Sequence, residues 1–153
     1  MTLSTDTTAL QIIRMINAPC ERVYAAWTDP DLARLWWGAD GCSTDELVLD
    51  VWRGGRFRWV ARPADGEKLT IEGKFRVVRP YEKIVHTWQW VENAAWKDAL
   101  SLVTVEFLEK EDNTVTEVRL THDKLPDEQS RDNRINEWNN ALDRLEHLLA
   151  VPA

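Results

Sequence analysis

Apolar residues repeat at every second position through the middle of this chain and at every third or fourth position on either side. Leu10 to Ile16 is apolar and β-branched enough for a first strand, and it stops at Ala18-Pro19, where proline suits the first turn of a helix. Over Cys20 to Trp27, Val23, Tyr24 and Trp27 fall at helical spacing. Asp29-Pro30 closes that helix and opens another, with Asp29 as N-cap and Pro30 as the first helical residue. Leu32, Leu35 and Trp36 make its apolar stripe. From Thr44 to His122 the alternation is that of antiparallel strands with one buried face, predicted at about 44–52, 55–63, 69–79, 83–91, 100–110 and 114–122. Gly54-Gly55, Ala64-Asp65-Gly66, Pro80 and Asp112-Asn113 supply the turn chemistry between them. Glu92 to Ala99 fits either a loop or a helical turn.

After Pro126 the helical period returns, with Ile135, Trp138, Leu142, Leu145 and Leu149 three and four residues apart. A helix from Asp127 to Ala150 would be roughly 36 Å long. Such a helix cannot bury its stripe alone, so it must lie in the concave face of a bent sheet. The predicted fold class is α+β: one domain over 1–153 with an ordered core of about 10–150. In it, a strongly bent seven-stranded antiparallel sheet wraps around a long C-terminal helix, and two short helices follow strand 1. Alternation puts Phe57, Trp59, Ile71, Phe75 and Val77 on the inner face, continued by Val103, Val105, Phe107, Val118, Leu120 and His122. Strand 83–91 is apolar on both sides, and Trp88 is taken to face inward.

Three stretches, Asn17-Ala18-Pro19, Trp36-Trp37-Gly38 and Arg53-Gly54-Gly55-Arg56-Phe57-Arg58-Trp59, occur in an order and spacing that resemble one family. Val103-x-Val105-x-Phe107 and Thr121-His122 before the last helix extend the match from about Leu10 to Leu149. The family is that of the heat-shock-protein-90 ATPase activator homologue, within the START-like (SRPBCC) helix-grip folds. The resemblance implies a binding protein for lipids or other apolar ligands, with no cofactor, or a chaperone-associated module active in the stress response. The eukaryotic activator also carries an N-terminal domain that supplies much of its chaperone docking. The stretch before Leu10 is too short for one, so the chain is expected to correspond to the C-terminal domain.

Composition narrows the classes. A formal charge of -7 argues against a nucleic-acid protein, which needs a clustered positive surface. The chain shows neither an apolar run of membrane-spanning length nor a leader-like start, and a cytoplasmic location is expected. Cys20 and Cys42 lack CxxC spacing and are read as free thiols, and the three histidines have no metal-ligand spacing. Nine tryptophans against three Phe and two Tyr place most of the aromatic volume in indoles, each with an N–H that wants a partner when buried. The ordinary use of such residues is a heavy core. Phe57, Trp59, Phe75, Trp88, Leu120, Ile135, Trp138 and Leu142 would be the apolar walls of a ligand cavity between sheet and helix, with His122 and Asn139 as polar contacts.

His122 is expected to be the one inward ionisable group. It could serve as a ligand donor or as a general acid or base. A lone inward histidine is more often a satisfied core residue, and no catalytic partner can be named for it. Arg14 shares a face with Leu10, Ile12 and Ile16, as a rim cation or as half of a structural ion pair. Between Arg53 and Lys83 stand nine Lys and Arg against four Asp and Glu. Arg56, Arg58, Lys74 and Arg76 would form a docking face for an acidic partner, unless Glu46, Asp50 and Glu72 hide it by pairing across strands with Arg56, Arg58 and Lys74. Three functions follow in order of preference: a non-enzymatic protein holding a small apolar ligand, an interaction module using the outer basic face, and a cyclase- or hydrolase-type enzyme. A homodimer would form through an edge strand or an exposed Trp96.

Overall fold

Seven antiparallel strands, β1 (Leu10–Ile16), β2 (Cys42–Leu49), β3 (Arg56–Pro63), β4 (Leu69–Arg79), β5 (Lys83–Trp90), β6 (Ser101–Lys110) and β7 (Val115–Asp123), form one sheet in the order β1-β7-β6-β5-β4-β3-β2. The sheet curls around a long C-terminal helix in an α+β, helix-grip arrangement. The computed structural model describes residues 8–38, 41–64 and 66–150. Two short helices, α1 (Cys20–Thr28) and α2 (Pro30–Ala33), follow β1, and the long helix is α3 (Glu128–Ala150). Short 3-10 turns lie at Ala94–Trp96 and Glu111–Asn113.

Local chemistry sets the boundaries. Pro19 is the residue before α1, and its missing side-chain cap is replaced from a distance: Cys20 N–H donates to Asn113 Oδ1 at 2.9 Å. Asp29 caps α2 by accepting from Asp31 N–H at 3.0 Å. Asp127 caps α3 through Ser130 N–H at 2.7 Å. Of the stripe expected on the second helix, Trp36 is fully buried but Leu35 is 61% exposed, because α2 ends after one turn and the chain then tightens. The turn expected at Ala64-Asp65-Gly66 includes Asp65, which lies outside the described residues.

The inner face holds Phe57, Trp59, Ile71, Phe75, Ile84, His86, Trp88, Val103, Val105, Phe107, Val118, Leu120 and His122, all buried. Val77 does not join them. The β4–β5 register shifts between Phe75 and Val77, so that Val78, opposite Ile84, packs on the core instead. A second shift on β2, between Thr44 and Glu46, adds to the bend of the sheet. Trp96 is also placed differently from the sequence expectation. It is 1% exposed and packs on Trp88 with ring centroids 5.0 Å apart, so it offers no surface for a dimer.

Gly73 marks the tightest point of the sheet. A Cβ there would lie 1.9 Å from Thr87 O, and the neighbouring Lys74 N–H is taken by the Thr87 hydroxyl at 2.8 Å. Gly73→Ala must therefore push β4 and β5 apart. A loss of about 2 kcal/mol or more is expected in urea unfolding, and an unchanged midpoint would show that the strands can yield there.

Candidate functional site

The cavity begins at the Trp36-Trp37-Gly38 turn. Gly38 has φ +103° and sits so close to β3 that a Cβ would come within 2.4 Å of the Trp59 ring. Only glycine meets both demands. Arg144 of α3 holds the turn from behind, donating to Trp36 O at 3.1 Å and to Gly38 O. Trp37 is thereby set edge-on to Phe57 and Trp138, with centroids 5.4 and 5.7 Å away.

Opposite the turn, β4 contributes Leu69 and Ile71, and β5 contributes Trp88 and Trp90, two residues apart on one face. α3 supplies Arg134, Glu137, Trp138 and Ala141, whose spacing of three, four and seven keeps them on one side of the helix. The space these residues leave is about 50 Å³. A cavity that size admits water-sized groups, well short of the roughly 300–1,000 Å³ typical of ligand pockets. Trp37 and Trp90 are half-buried at its rim.

Two charges face this indole-lined space. The Arg134 guanidinium lies over the Trp88 ring, 5.0 Å from its centroid. Burial pulls its pKa down to about 10, with Glu137 acting in the other direction, so it stays a cation at neutral pH. Glu137 Oε2 is buried and accepts no hydrogen bond. An acceptor left so is costly unless something supplies a donor.

Behind the cavity runs a closed chain of hydrogen bonds. Trp138 Nε1–H donates to His122 Nδ1 at 3.1 Å, which fixes the His122 proton on Nε2. Nε2–H then donates to Ser101 Oγ at 2.8 Å, and the Ser101 hydroxyl donates to Trp88 O. The serine and histidine look like a catalytic pair, but the direction is wrong. Nε2 already carries its proton and cannot remove one from Ser101. Both residues are fully buried, and desolvation, helped by nearby Arg134 and His86, holds His122 well below its ordinary pKa.

A family model for activator of Hsp90 ATPase homolog 1-like proteins matches residues 17–150. The chain belongs to that family. Solved structures agree on the fold. A protein from Chromobacterium violaceum superposes with a TM-score of 0.86 at 23% identity, covering 95% of this chain and 99% of its own. A Rhodobacter sphaeroides protein gives 0.79 at 26% identity, covering 95% and 94%. The AHSA1 protein from Silicibacter pomeroyi gives 0.79 at 24%, covering 93% and 97%. No curated protein matches the chain.

In this activator-homologue domain the ten predicted ligand residues separate. Trp59, Trp88 and Trp138 line the cavity. Phe57 and Phe75 instead enclose His86, with centroids 4.7 and 5.4 Å away. Leu120 and Leu142 are buried core, and Ile135 packs at its edge. His122 has both nitrogens engaged and does not reach the cavity. Asn139 is held on another side of α3 by Arg14, which donates to its Oδ1 at 2.9 Å and also pairs with Asp143 and Glu146. Arg14 is thus a clamp between β1 and α3. Trp37, Trp90, Arg134 and Glu137 line the cavity without being among those ten, although the spacing of Arg134 and Glu137 with Trp138 and Ala141 is visible in the sequence. His86 was missed as a second inward ionisable group. Among the described residues no cluster suits a metal ion, and no helix is long and apolar enough to cross a membrane.

On the outer face Arg58 bridges Glu46 and Glu72 at 3.3 and 3.2 Å, and Arg56 lies 3.8 Å from Asp50. The expected pairing of Lys74 does not form, and Lys74 and Arg76 stay exposed.

Buried histidines make stability depend on pH. Burial lowers His86 to about 4 and His122 well below its usual value, against about 6.5 in an unfolded chain. Below pH 6.5 the unfolded state therefore binds more protons than the fold. Stability is full above that pH and declines as it falls towards 4. The expected slope is about 1.4 kcal/mol per pH unit for each histidine. Urea unfolding between pH 6.5 and 5 checks it, and His86→Phe, which suits the Phe57–Phe75 surroundings, should remove about half the slope.

Proposed function

We propose that this protein is a non-enzymatic binding protein that takes a small, flat apolar group between its sheet and α3. The observation that carries this is the convergence of five indoles, Trp37, Trp59, Trp88, Trp90 and Trp138, on unfilled space that is also lined by Glu137, whose Oε2 is buried without a hydrogen-bond donor. Interiors built only for stability pack to crystal-like density and leave few such groups unsatisfied. A ring system larger than this space enters by swinging Trp37 or Trp90 outward. The His122–Ser101 pair supports structure rather than catalysis, because its proton order runs away from the serine.

A second reading rests on the outer face. A groove of about 730 Å³ is lined by Arg53, Arg56, Arg58, Lys74 and Arg76 with Glu72 as the one acid. Among the described residues Arg53, Lys74 and Arg76 have no carboxylate within ion-pair distance. Such a face would suit an acidic protein surface, in keeping with the family's association with a chaperone.

Native mass spectrometry of the purified protein separates the two. The expected result is a non-covalent adduct of low mass, lost on denaturation and absent from Ala141→Leu, which fills the cavity from α3. A bare mass in repeated preparations, with capture of an acidic partner abolished by Lys74→Glu and Arg76→Glu, would favour the outer face instead.

A further inference from the structure

The polar atoms left open in the cavity specify more than an apolar guest. Arg134 and Glu137 are three residues apart on α3 and face the same space. Arg134 makes no hydrogen bond or ion pair among the described residues and rests on the π-face of Trp88. Glu137 Oε2 is buried and lacks a donor. Of the other polar groups nearby, Trp138 Nε1–H is used by His122, Trp59 Nε1–H by Thr44 at 3.0 Å, and both His122 nitrogens are engaged, while the indole N–H groups of Trp37, Trp88 and Trp90 remain as neutral donors. The cavity therefore offers one charged donor and one charged acceptor side by side, walled by indoles.

That combination discriminates by charge. A ligand carboxylate would bring a second anion against Glu137, and a ligand ammonium would bring a second cation against Arg134. A neutral edge carrying a carbonyl next to an N–H gives each side chain the partner it lacks. We infer that the occupant is a flat, neutral ring with adjacent acceptor and donor, a lactam or equivalent amide edge, its carbonyl towards Arg134 and its N–H towards Glu137. This rests on the cavity reading above and adds the chemistry of the guest.

The test uses three single-ring probes: pyridin-2-one, which has both groups, 1-methylpyridin-2-one, which has lost the donor, and benzene, which has neither. Binding is read from the tryptophan indole N–H signals in ¹H–¹⁵N NMR titrations of the intact chain. Signals of Trp37, Trp59, Trp88, Trp90 and Trp138 should move, while that of Trp52, which is exposed at the β2–β3 turn, should not. N-methylation should weaken binding about tenfold or more, the least a hydrogen bond to a charged acceptor is worth. In Glu137→Leu that penalty should vanish, and Arg134→Met should weaken pyridin-2-one but not benzene. Equal affinity for the first two probes, or a methylation penalty unchanged in Glu137→Leu and hence steric, would overturn the inference while leaving the cavity as a binding site. If none of the three probes moves the cavity indoles, the cavity reading fails with it.

Discussion

The curled sheet holds its one helix through strands that are far apart in the sheet order. α3 meets them with separate faces. Towards β1 it offers Asn139, Asp143 and Glu146, which receive the Arg14 guanidinium through contacts of 2.9 Å. Towards β4 and β5 it offers Arg134, Glu137, Trp138 and Ala141. Its buried leucines, Leu142, Leu145 and Leu149, fill the space between. The charged clamp on β1 takes Asn139 out of the site, and the opposite face is left to form it. The edge strand β1 is held by the same residues that set the rotation of the helix.

The arginines of this domain divide the work. Arg14 fixes the helix to the sheet edge, and Arg144 fixes the Trp36-Trp37-Gly38 turn to the helix through backbone carbonyls. Arg134 alone among the three is spent on an aromatic face. A guanidinium is suited to this because it is weakly hydrated and planar, so its burial on an indole costs less than that of an ammonium. The lowering of its pKa to about 10 still leaves it charged, and the cavity retains a cation near a buried carboxylate oxygen that lacks a donor.

The strands and helices were legible in the sequence because each boundary carries local chemistry: Asp29 and Pro30 at α2, Gly54-Gly55 at the first hairpin, Pro126-Asp127 before α3. Period-two alternation also assigned the inner face correctly as far as Phe75. It failed at Val77 because a bulge exchanges the two faces, and a single inserted residue leaves no mark in a strand rich in valine on both sides. Trp96 failed for a related reason. It sits in an irregular segment without periodicity, so its burial against Trp88 depends on how the loop folds back.

The site was less legible because residue type does not reveal which polar atoms are already committed. His122 drew notice as an inward imidazole, yet its value as a donor or base depends on Trp138, sixteen positions later, taking Nδ1, and on Ser101 taking Nε2. Each bond is a consequence of the curl that stacks β6, β7 and α3. Once the network closes, its members form a wall, and the wall leaves Arg134 and Glu137 as the charged groups of the lining without hydrogen-bond partners. In a sequence these two look like ordinary charges on the solvent side of an amphipathic helix. They line the site together with Trp37, Trp88 and Trp90, and Arg134 rests on the Trp88 ring, which gives a charged side chain an apolar surface to lie on. The unusual share of tryptophan thus supplies the wall of this cavity, and the two charged residues of α3 supply its chemistry.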